Sequence, residues 1–243
     1  MKIGIIGIGY IGKTLVRKLS AEHTVLMANS RGPDSLKELA EETGAAAVTS
    51  QEAVKGVDVV ILSVPLAKVP QMKEIFAHAA PEIVVADTSN YYPGRDGSIE
   101  ALDTGQVESL WVSEQVGQAV VKAWNNIFWG SLMTKGKPKG AEGRVALSVA
   151  GDDAKAKEIV MGLVEETGFD AIDLGSLEDS WRQQPGTPGY CNDLGAEELR
   201  HALANADRAS APGTRDAVMA RMLEIGENIT NDELLDISRL SHK

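Results

Sequence analysis

The chain of 243 residues is poor in cysteine, histidine and aromatic residues. Its single cysteine, Cys191, cannot form a disulfide within the chain or a site built from several thiolates. The four histidines follow no metal-ligand spacing, and no Ser-His-Asp arrangement is indicated. The sequence therefore predicts neither a bound metal ion nor a side chain that acts as a catalytic acid, base or nucleophile.

Long apolar runs and an excess of basic residues are missing as well. No apolar run approaches the roughly 20 residues that span a bilayer, and the first residues lack the pattern of a signal peptide. The net charge of −11 opposes binding to nucleic acid or to an anionic membrane surface. We therefore expect a cytoplasmic protein whose partner is a small molecule rather than nucleic acid or a membrane.

What the sequence does contain is a regular alternation of short apolar runs with stretches of helical period. Runs such as "VDVVILSV" and "EIVVAD" are typical of strands buried on both faces of a parallel sheet. The alternation continues to "FDAIDLG", which predicts an α/β fold with a Rossmann-type, doubly wound and mostly parallel sheet over residues 1–176.

Residues 177–243 have a different pattern. The loop "RQQPGTPGYCNDLG" is rich in proline and glycine, and three stretches of helical period follow it. The sequence predicts a small C-terminal helical extension. It would serve either as a cover for the substrate or as a packing element that supports a homodimer.

A glycine-rich motif, "GIGYIG", joins the first predicted strand to the first predicted helix. In a dinucleotide-binding turn the first glycine permits a tight bend, the second admits the pyrophosphate and the third lets the helix approach the strand. The helix N-terminus then offers N–H donors to the phosphates. This position favours a cofactor site over ordinary turn glycines, with these residues in contact with the cofactor: Gly7, Gly9, Tyr10, Ile11 and Gly12.

The second predicted strand ends in Asn29, Ser30 and Arg31, where NAD enzymes place a carboxylate that binds the ribose hydroxyls. A carboxylate would repel a 2′-phosphate, whereas a guanidinium pairs with it and short polar side chains add hydrogen bonds. These residues therefore favour NADP(H) over NAD(H). The alternative is that Arg31 is a solvated surface charge.

Two further strands end in residues suited to the cofactor or a second substrate. Ser63, Val64 and Pro65 follow the fourth strand, at the sheet edge where open α/β folds bind ligands. Thr88, Ser89 and Asn90 follow the next strand and are expected to donate hydrogen bonds near the nicotinamide. The alternative is that these polar residues only cap a turn. Asp87 could act as a base, but no partner for it is evident from the sequence.

The chain resembles the NADP oxidoreductase family typified by the NADPH-dependent reductases of the deazaflavin coenzyme F420. It is also similar to the cytosolic domain of the six-transmembrane ferric reductases. The resemblance rests on "GIIGIGYIGKTLVRKL", "NSRGP", "DVVILSVP", "DTSN", "VVKAWNNI" and the stretch from "VAGDDAKAK" to "AIDLGSL". It implies direct hydride transfer between NADP(H) and a flavin or deazaflavin. It also implies that Ser30 and Arg31 hold the 2′-phosphate, with the following residues beside the nicotinamide: Ser63, Val64, Pro65 and Asn125.

Other functions are compatible with the same predicted fold. A dehydrogenase of the β-hydroxyacid type or an imine reductase needs a proton donor, commonly a helical lysine, and "TKGKPKG" does not supply such a helix. A protein that senses NADP(H) without turnover is a further alternative. The aromatic segment "KAWNNIFWGSL" offers a ring wall, or simply core packing, through Trp124, Ile127, Phe128 and Trp129.

Overall fold

The computed structural model describes residues 1–226 and 229–240, and its centre is one eight-stranded sheet in the order β3-β2-β1-β4-β5-β6-β7-β8. All neighbouring strands are parallel except β6 and β7, which are antiparallel. The predicted Rossmann-type, mostly parallel sheet is confirmed. The strands are β1 Lys2–Ile6, β2 Thr24–Ala28, β3 Ala46–Ala47, β4 Val59–Leu62, β5 Val84–Asp87, β6 Val120–Lys122, β7 Ala146–Ala150 and β8 Asp170–Gly175.

Helices connect the strands and form the C-terminal extension. They are α1 Tyr10–Leu19, α2 Lys37–Thr43, α3 Ser50–Ala53, α4 Lys73–Phe76, α5 Pro93–Asp96, α6 Glu100–Asp103, α7 Glu108–Val116, α8 Trp129–Thr134, α9 Ala154–Glu166, α10 Ala196–Ala204, α11 Ala211–Ile225 and α12 Asn231–Leu240. Short 3-10 helices cover Pro33–Leu36, Leu66–Met72 and Glu178–Gln183.

The central strands are buried because helices cover both faces of the sheet. Every residue of β4 and β7 is buried, as expected for strands that read as continuous apolar runs. One apolar core includes Leu15, Met27 and Phe169, and a second includes Val60, Leu66 and Trp111. Packing in these two cores holds the strands in place, and with them the sheet edge at which the parallel strands end.

The predicted strand "AAAVTS" is shorter than its pattern suggests. Only Ala46 and Ala47 pair with β2. The chain then turns into α3, because the Thr49 hydroxyl accepts the Glu52 N–H and the Glu52 carboxylate accepts the Thr49 N–H. This capping box ends the strand and starts the helix.

The C-terminal extension packs against the end of the sheet. Leu199 and Leu203 of α10 form an apolar cluster with Ala146 of β7 and Ile172 of β8. The division into domains at residue 176 stays a prediction. Within residues 1–226 and 229–240, no helix is long and apolar enough to cross a membrane.

Candidate active site

Two adjoining cavities lie at the carboxyl edge of the parallel strands. The β2 cavity has a volume of about 620 Å³ and lies beside the end of β2. The β5 cavity has a volume of about 360 Å³ and lies beside the end of β5. Both are lined by Gly9, Ser63, Val64 and Pro65. Together they form one cleft where this fold class binds ligands.

The turn before α1 is built around its glycines. Gly7 has a φ of 97°, and a Cβ there would lie 2.1 Å from the Ser63 carbonyl oxygen. A Cβ on Gly12 would lie 2.0 Å from the Gly7 carbonyl oxygen. A Cβ on Gly9 would meet nothing within 4 Å, so this position borders open space in the cleft. Because the first turn of α1 carries no acidic residue, its N–H groups face the cleft without a competing carboxylate.

The β2 cavity is lined by cationic and hydroxyl groups and by one carboxylate, that of Glu74. Ser30 and Arg31 line it, and both side chains are exposed. Lys68, which the sequence reading missed, lines the same cavity from the helix after β4. In the part of the chain that the structure describes, neither Arg31 nor Lys68 has a carboxylate within ion-pair distance. Both cations are therefore free to meet a phosphate.

Asn29 has a structural task in this cavity. Its side-chain oxygen accepts the Arg31 N–H at 2.9 Å, and its side-chain nitrogen donates to the Ser35 hydroxyl at 3.0 Å. These bonds shape the turn that presents Ser30 and Arg31. An aspartate here would add the negative charge that a 2′-phosphate disfavours.

In the β5 cavity, Asn90 and Asn125 join two polar segments of the predicted site. The Asn125 amide nitrogen donates to the Asn90 side-chain oxygen at 3.1 Å and to the Gln183 carbonyl at 2.8 Å. Asn90 donates in turn to the Asn125 carbonyl at 2.9 Å. The buried Oδ1 of Asn125 has no hydrogen-bond partner among the described residues.

Thr88 and Ser89 both line the β5 cavity, and Ser89 is also held by the residues behind it. The Ser89 hydroxyl donates to Asp87 at 2.7 Å. Asp87 itself pairs with Lys122 of β6 at 2.7 Å, and both side chains are fully buried. Asp87 therefore has the partner that the sequence did not reveal, and it is not a free base. Only the register of β5 against β6 identifies this pair, because it places Lys122 opposite Asp87 in the sheet.

A second buried carboxyl group lies close to this ion pair. Glu108 of α7 accepts the Tyr91 N–H at 3.0 Å. Burial raises the pKa of Glu108 to about 7, with a further rise from Asp87, against the opposing effects of Lys122 and the Tyr91 N–H. The network holds residues 87–91 from behind and keeps the end of β5 in place.

The aromatic segment divides between core and cleft. The Trp124 ring is fully buried and donates to the Thr167 hydroxyl at 3.2 Å, and Ile127 is buried in the same core. Trp129 is instead 41% exposed and stacks on Tyr10, which is 71% exposed, with the ring centroids 4.8 Å apart. Both rings line the β5 cavity, together with Phe128. Trp124 and Ile127 border this cavity too, but both are buried and pack in the core, so the exposed ring of Trp129 best fits the ring-wall interpretation.

Two tyrosines in the same cavity were missed from the sequence. The hydroxyls of Tyr92 and Tyr190 lie 2.6 Å apart, and Asn90 donates to the Tyr190 hydroxyl at 3.3 Å. Burial is the main cause that raises the pKa of both phenols far above the ordinary value, so both stay protonated at neutral pH. Tyr190 lies 98 residues from Tyr92, and no local pattern could have joined them.

The remaining candidate groups lie away from the cleft or are engaged elsewhere. Among the described histidines, His23, His78 and His201 line neither cavity, and His242 lies outside the described residues. Lys135 pairs with Asp193 at 2.9 Å. No group of three His, Cys, Asp or Glu residues suited to a metal ion occurs within the described residues.

The comparisons with known proteins agree with this geometry. Residues 2–91 match the family described as NADP oxidoreductase, coenzyme F420-dependent. The chain is 38% identical over 102 residues to the Escherichia coli K12 protein YjhV, which covers 42% of this chain and 74% of that protein.

Solved structures extend the likeness beyond the matched residues. The hypothetical protein SMa0349 from Sinorhizobium meliloti is 32% identical, with a TM-score of 0.64 over 74% of this chain and 87% of that chain. A candidate F420-dependent NADP reductase from Arthrobacter sp. FB24 shares the fold at 22% identity, with a TM-score of 0.60 over 73% of this chain and 86% of that chain. The protein belongs to the coenzyme F420-dependent NADP oxidoreductase family and is an NADP(H)-dependent oxidoreductase.

Proposed function

We propose that the protein reduces a flavin, a deazaflavin or a similar planar redox acceptor by direct hydride transfer from NADPH. The observation that carries the proposal is the exposed stack of Tyr10 on Trp129 at the β5 cavity. Large aromatic rings left exposed beside a cavity provide a flat apolar face on which a conjugated ring can stack. Arg95 is the only charged side chain that lines this cavity within the described residues.

The cofactor would extend across both cavities. Its pyrophosphate would lie at the N-terminus of α1 over Gly9, and Arg31, Ser30 and Lys68 would hold the 2′-phosphate. The nicotinamide would lie in the β5 cavity beside Asn125. NADPH, once bound, supplies the hydride that the acceptor receives.

The chain's own part in this reaction is alignment. Hydride transfer between two stacked rings depends on their separation and orientation, and a planar acceptor has no carbonyl oxygen that must be protonated in the same step. Ile11, Val64 and Pro65 line the cavity with apolar surface that limits access of water. Asn90 and Asn125 hold each other through reciprocal hydrogen bonds, so the polar wall is in place before a ligand arrives.

The test is NADPH oxidation by the purified protein with FMN, FAD, riboflavin and F420 as separate acceptors. We expect turnover with at least one of them, and we expect Trp129→Ala to raise the KM of that acceptor by about 10-fold or more, since stacking of this kind contributes on the order of 1–3 kcal/mol. Met133→Ala is the matched control, because Met133 is equally exposed on the same helix and does not line the cavity.

Two results would contradict the proposal. One is tight NADPH binding with no oxidation by any acceptor, which would favour a protein that senses NADP(H). The other is an acceptor KM that changes equally in the Trp129→Ala and Met133→Ala variants.

A further inference from the structure

We infer that Tyr190, supported by Tyr92, is a proton donor at the nicotinamide end of the cleft, and that the site can therefore also reduce a small carbonyl compound or imine. The inference shares the NADPH site with the proposed function but does not depend on a flavin-type acceptor. It assigns a role to a tyrosine that lies in the loop after the last strand, at residues 184–195.

The geometry of the two phenols carries the inference. Their hydroxyls, 2.6 Å apart, hold two hydrogens, and the bond between them uses one. The other O–H has only the Cys191 sulfur, a weak acceptor, within reach, so a carbonyl or imine substrate can take its place as the acceptor. Asn90 donates to Tyr190 at 3.3 Å and so fills one of its acceptor positions, which turns the Tyr190 hydrogen away from Asn90. Both tyrosines line the β5 cavity.

The segment that presents Tyr190 is held from several sides. The Cys191 N–H donates to the Asn126 carbonyl at 3.0 Å, and the Ser238 hydroxyl donates to the Tyr190 carbonyl at 3.3 Å. Cys191 is buried and has a φ of 53°, a strained backbone that persists only where its surroundings enforce it.

The next residues add further bonds to the same segment. Asp193 accepts the Ser131 hydroxyl at 2.6 Å and pairs with Lys135 at 2.9 Å. These contacts fix the phenol before a substrate binds, which is the condition for an effective proton donor. The segment is therefore built as a fixed wall of the cavity rather than as a lid.

The step balances without any further reagent. The hydride of NADPH adds to the carbonyl or imine carbon, and the π-bond electrons move to the oxygen or nitrogen. That atom takes the Tyr190 proton, Tyr92 passes its proton to Tyr190, and Tyr92 regains one from solvent. The products are NADP⁺ and an alcohol or amine. The cavity of about 360 Å³ beside the nicotinamide suits a small carbonyl compound or imine.

The raised pKa of Tyr190 agrees with its assignment as a proton donor. A phenol that burial keeps protonated holds its proton until an alkoxide or amide anion develops beside it, and such an anion is a stronger base than the phenolate. Arg95 lies over the Tyr92 ring at 5.1 Å and is the nearby positive charge that would stabilise a transient phenolate.

The experiment measures product formation from NADPH with cyclohexanone alone and with cyclohexanone plus methylamine, beside FMN and F420 as acceptors. We expect cyclohexanol or N-methylcyclohexylamine from the wild type. We expect Tyr190→Phe to lower that turnover number by about 100-fold or more and to lower FMN or F420 turnover by a much smaller factor, since only the carbonyl or imine reaction needs the phenol proton. Tyr91→Phe is the matched control, since its hydroxyl bonds to Gly97 and Asp103 and the residue does not line the cavity.

A solvent deuterium isotope effect on cyclohexanone turnover that is absent from F420 turnover would further support proton donation. Reduction of FMN or F420 without any alcohol or amine product would overturn this inference and leave the proposed function intact. Carbonyl turnover that survives in Tyr190→Phe would also overturn it. Alcohol or amine formation without flavin or F420 reduction would support this inference and contradict the proposed function.

Discussion

Gly9 and Gly12 lie in the same turn, but a methyl group is expected to have different effects at the two positions. At Gly9 the added Cβ meets nothing within 4 Å and the backbone φ is −81°. Gly9→Ala should therefore keep the free energy of unfolding within about 1 kcal/mol and still weaken NADPH binding by about 10-fold or more, because the methyl group occupies the space of the pyrophosphate.

At Gly12 the added Cβ would lie 2.0 Å from the Gly7 carbonyl oxygen. Gly12→Ala should lower the free energy of unfolding by about 1–3 kcal/mol or more, as overpacking does. Denaturant unfolding and titration calorimetry with NADPH measure both effects. A Gly9→Ala protein that binds NADPH as well as the wild type would show that the pyrophosphate lies elsewhere.

Arg31 is expected to set the choice between the two nicotinamide cofactors. A hydrogen bond to a charged group contributes about 1.5–3 kcal/mol, so Arg31→Ala should lower the preference for NADPH over NADH by about 10- to 100-fold in kcat/KM. Lys37→Ala is the control, because Lys37 is an exposed cation that pairs with Asp34 on the same segment and does not line the cleft. An unchanged preference in Arg31→Ala, or an equal loss in Lys37→Ala, would assign the selectivity to another group.

At the residue scale the sequence predicted the cofactor side of the cleft better than the substrate side. The glycine turn and Asn29-Ser30-Arg31 are contiguous in sequence, so local pattern was enough to bring them together. Lys68, Tyr92 and Tyr190 reach the same cleft from separate segments. Their approach depends on the helix after β4 and on the loop after β8, which carry no motif.

At the scale of elements, the contact between α7 and the end of β5 should give the protein a distinct pH dependence. Burial raises the pKa of Glu108 from 4.5 to about 7. The folded state therefore binds this proton more tightly than the unfolded chain, so its contribution is complete below pH 4.5 and is lost as the pH rises through 7. The loss amounts to roughly 3 kcal/mol.

Urea unfolding at pH 5 and pH 8 measures this effect. Glu108→Gln should lose less stability over that interval than the wild type, because it keeps an uncharged acceptor for the Tyr91 N–H. Glu114→Gln on the same helix should keep the wild-type pH dependence, since Glu114 is exposed. Equal pH dependence in the wild type and in Glu108→Gln would refute the role assigned to Glu108.

The strands of the sheet could be predicted well from the sequence because parallel strands buried on both faces are continuous apolar runs. The exception is β3, where Ala and Thr give a weak strand signal and the capping residue Thr49 decides the outcome. The short helices α5, α6 and α7 were not predicted. Residues 93–103 form single turns that depend on Asp96 and Asp103 accepting nearby hydrogen bonds, not on apolar periodicity.

At the scale of the whole molecule, the C-terminal extension is expected to contribute to global stability. Leu199 is buried against β7 and β8, so Leu199→Ala should lower the free energy of unfolding by about 2–4 kcal/mol. Leu223→Ala is the control, because Leu223 is 76% exposed on α11. If both variants unfold at the wild-type denaturant concentration, the extension does not unfold cooperatively with the sheet.

A homodimer stays a prediction, which sedimentation equilibrium would measure.

The central claim is that this cleft holds NADPH so that its hydride passes directly to a second, planar molecule. The most direct measurement is the oxidation of NADPH deuterated at the transferred position of the nicotinamide, with the deazaflavin F420 as acceptor, because the acceptor carbon retains the label. The account predicts one deuterium on each reduced acceptor and a primary isotope effect on the transfer step. Reduced acceptor without deuterium, or bound NADPH that transfers no deuterium to any acceptor, would contradict it.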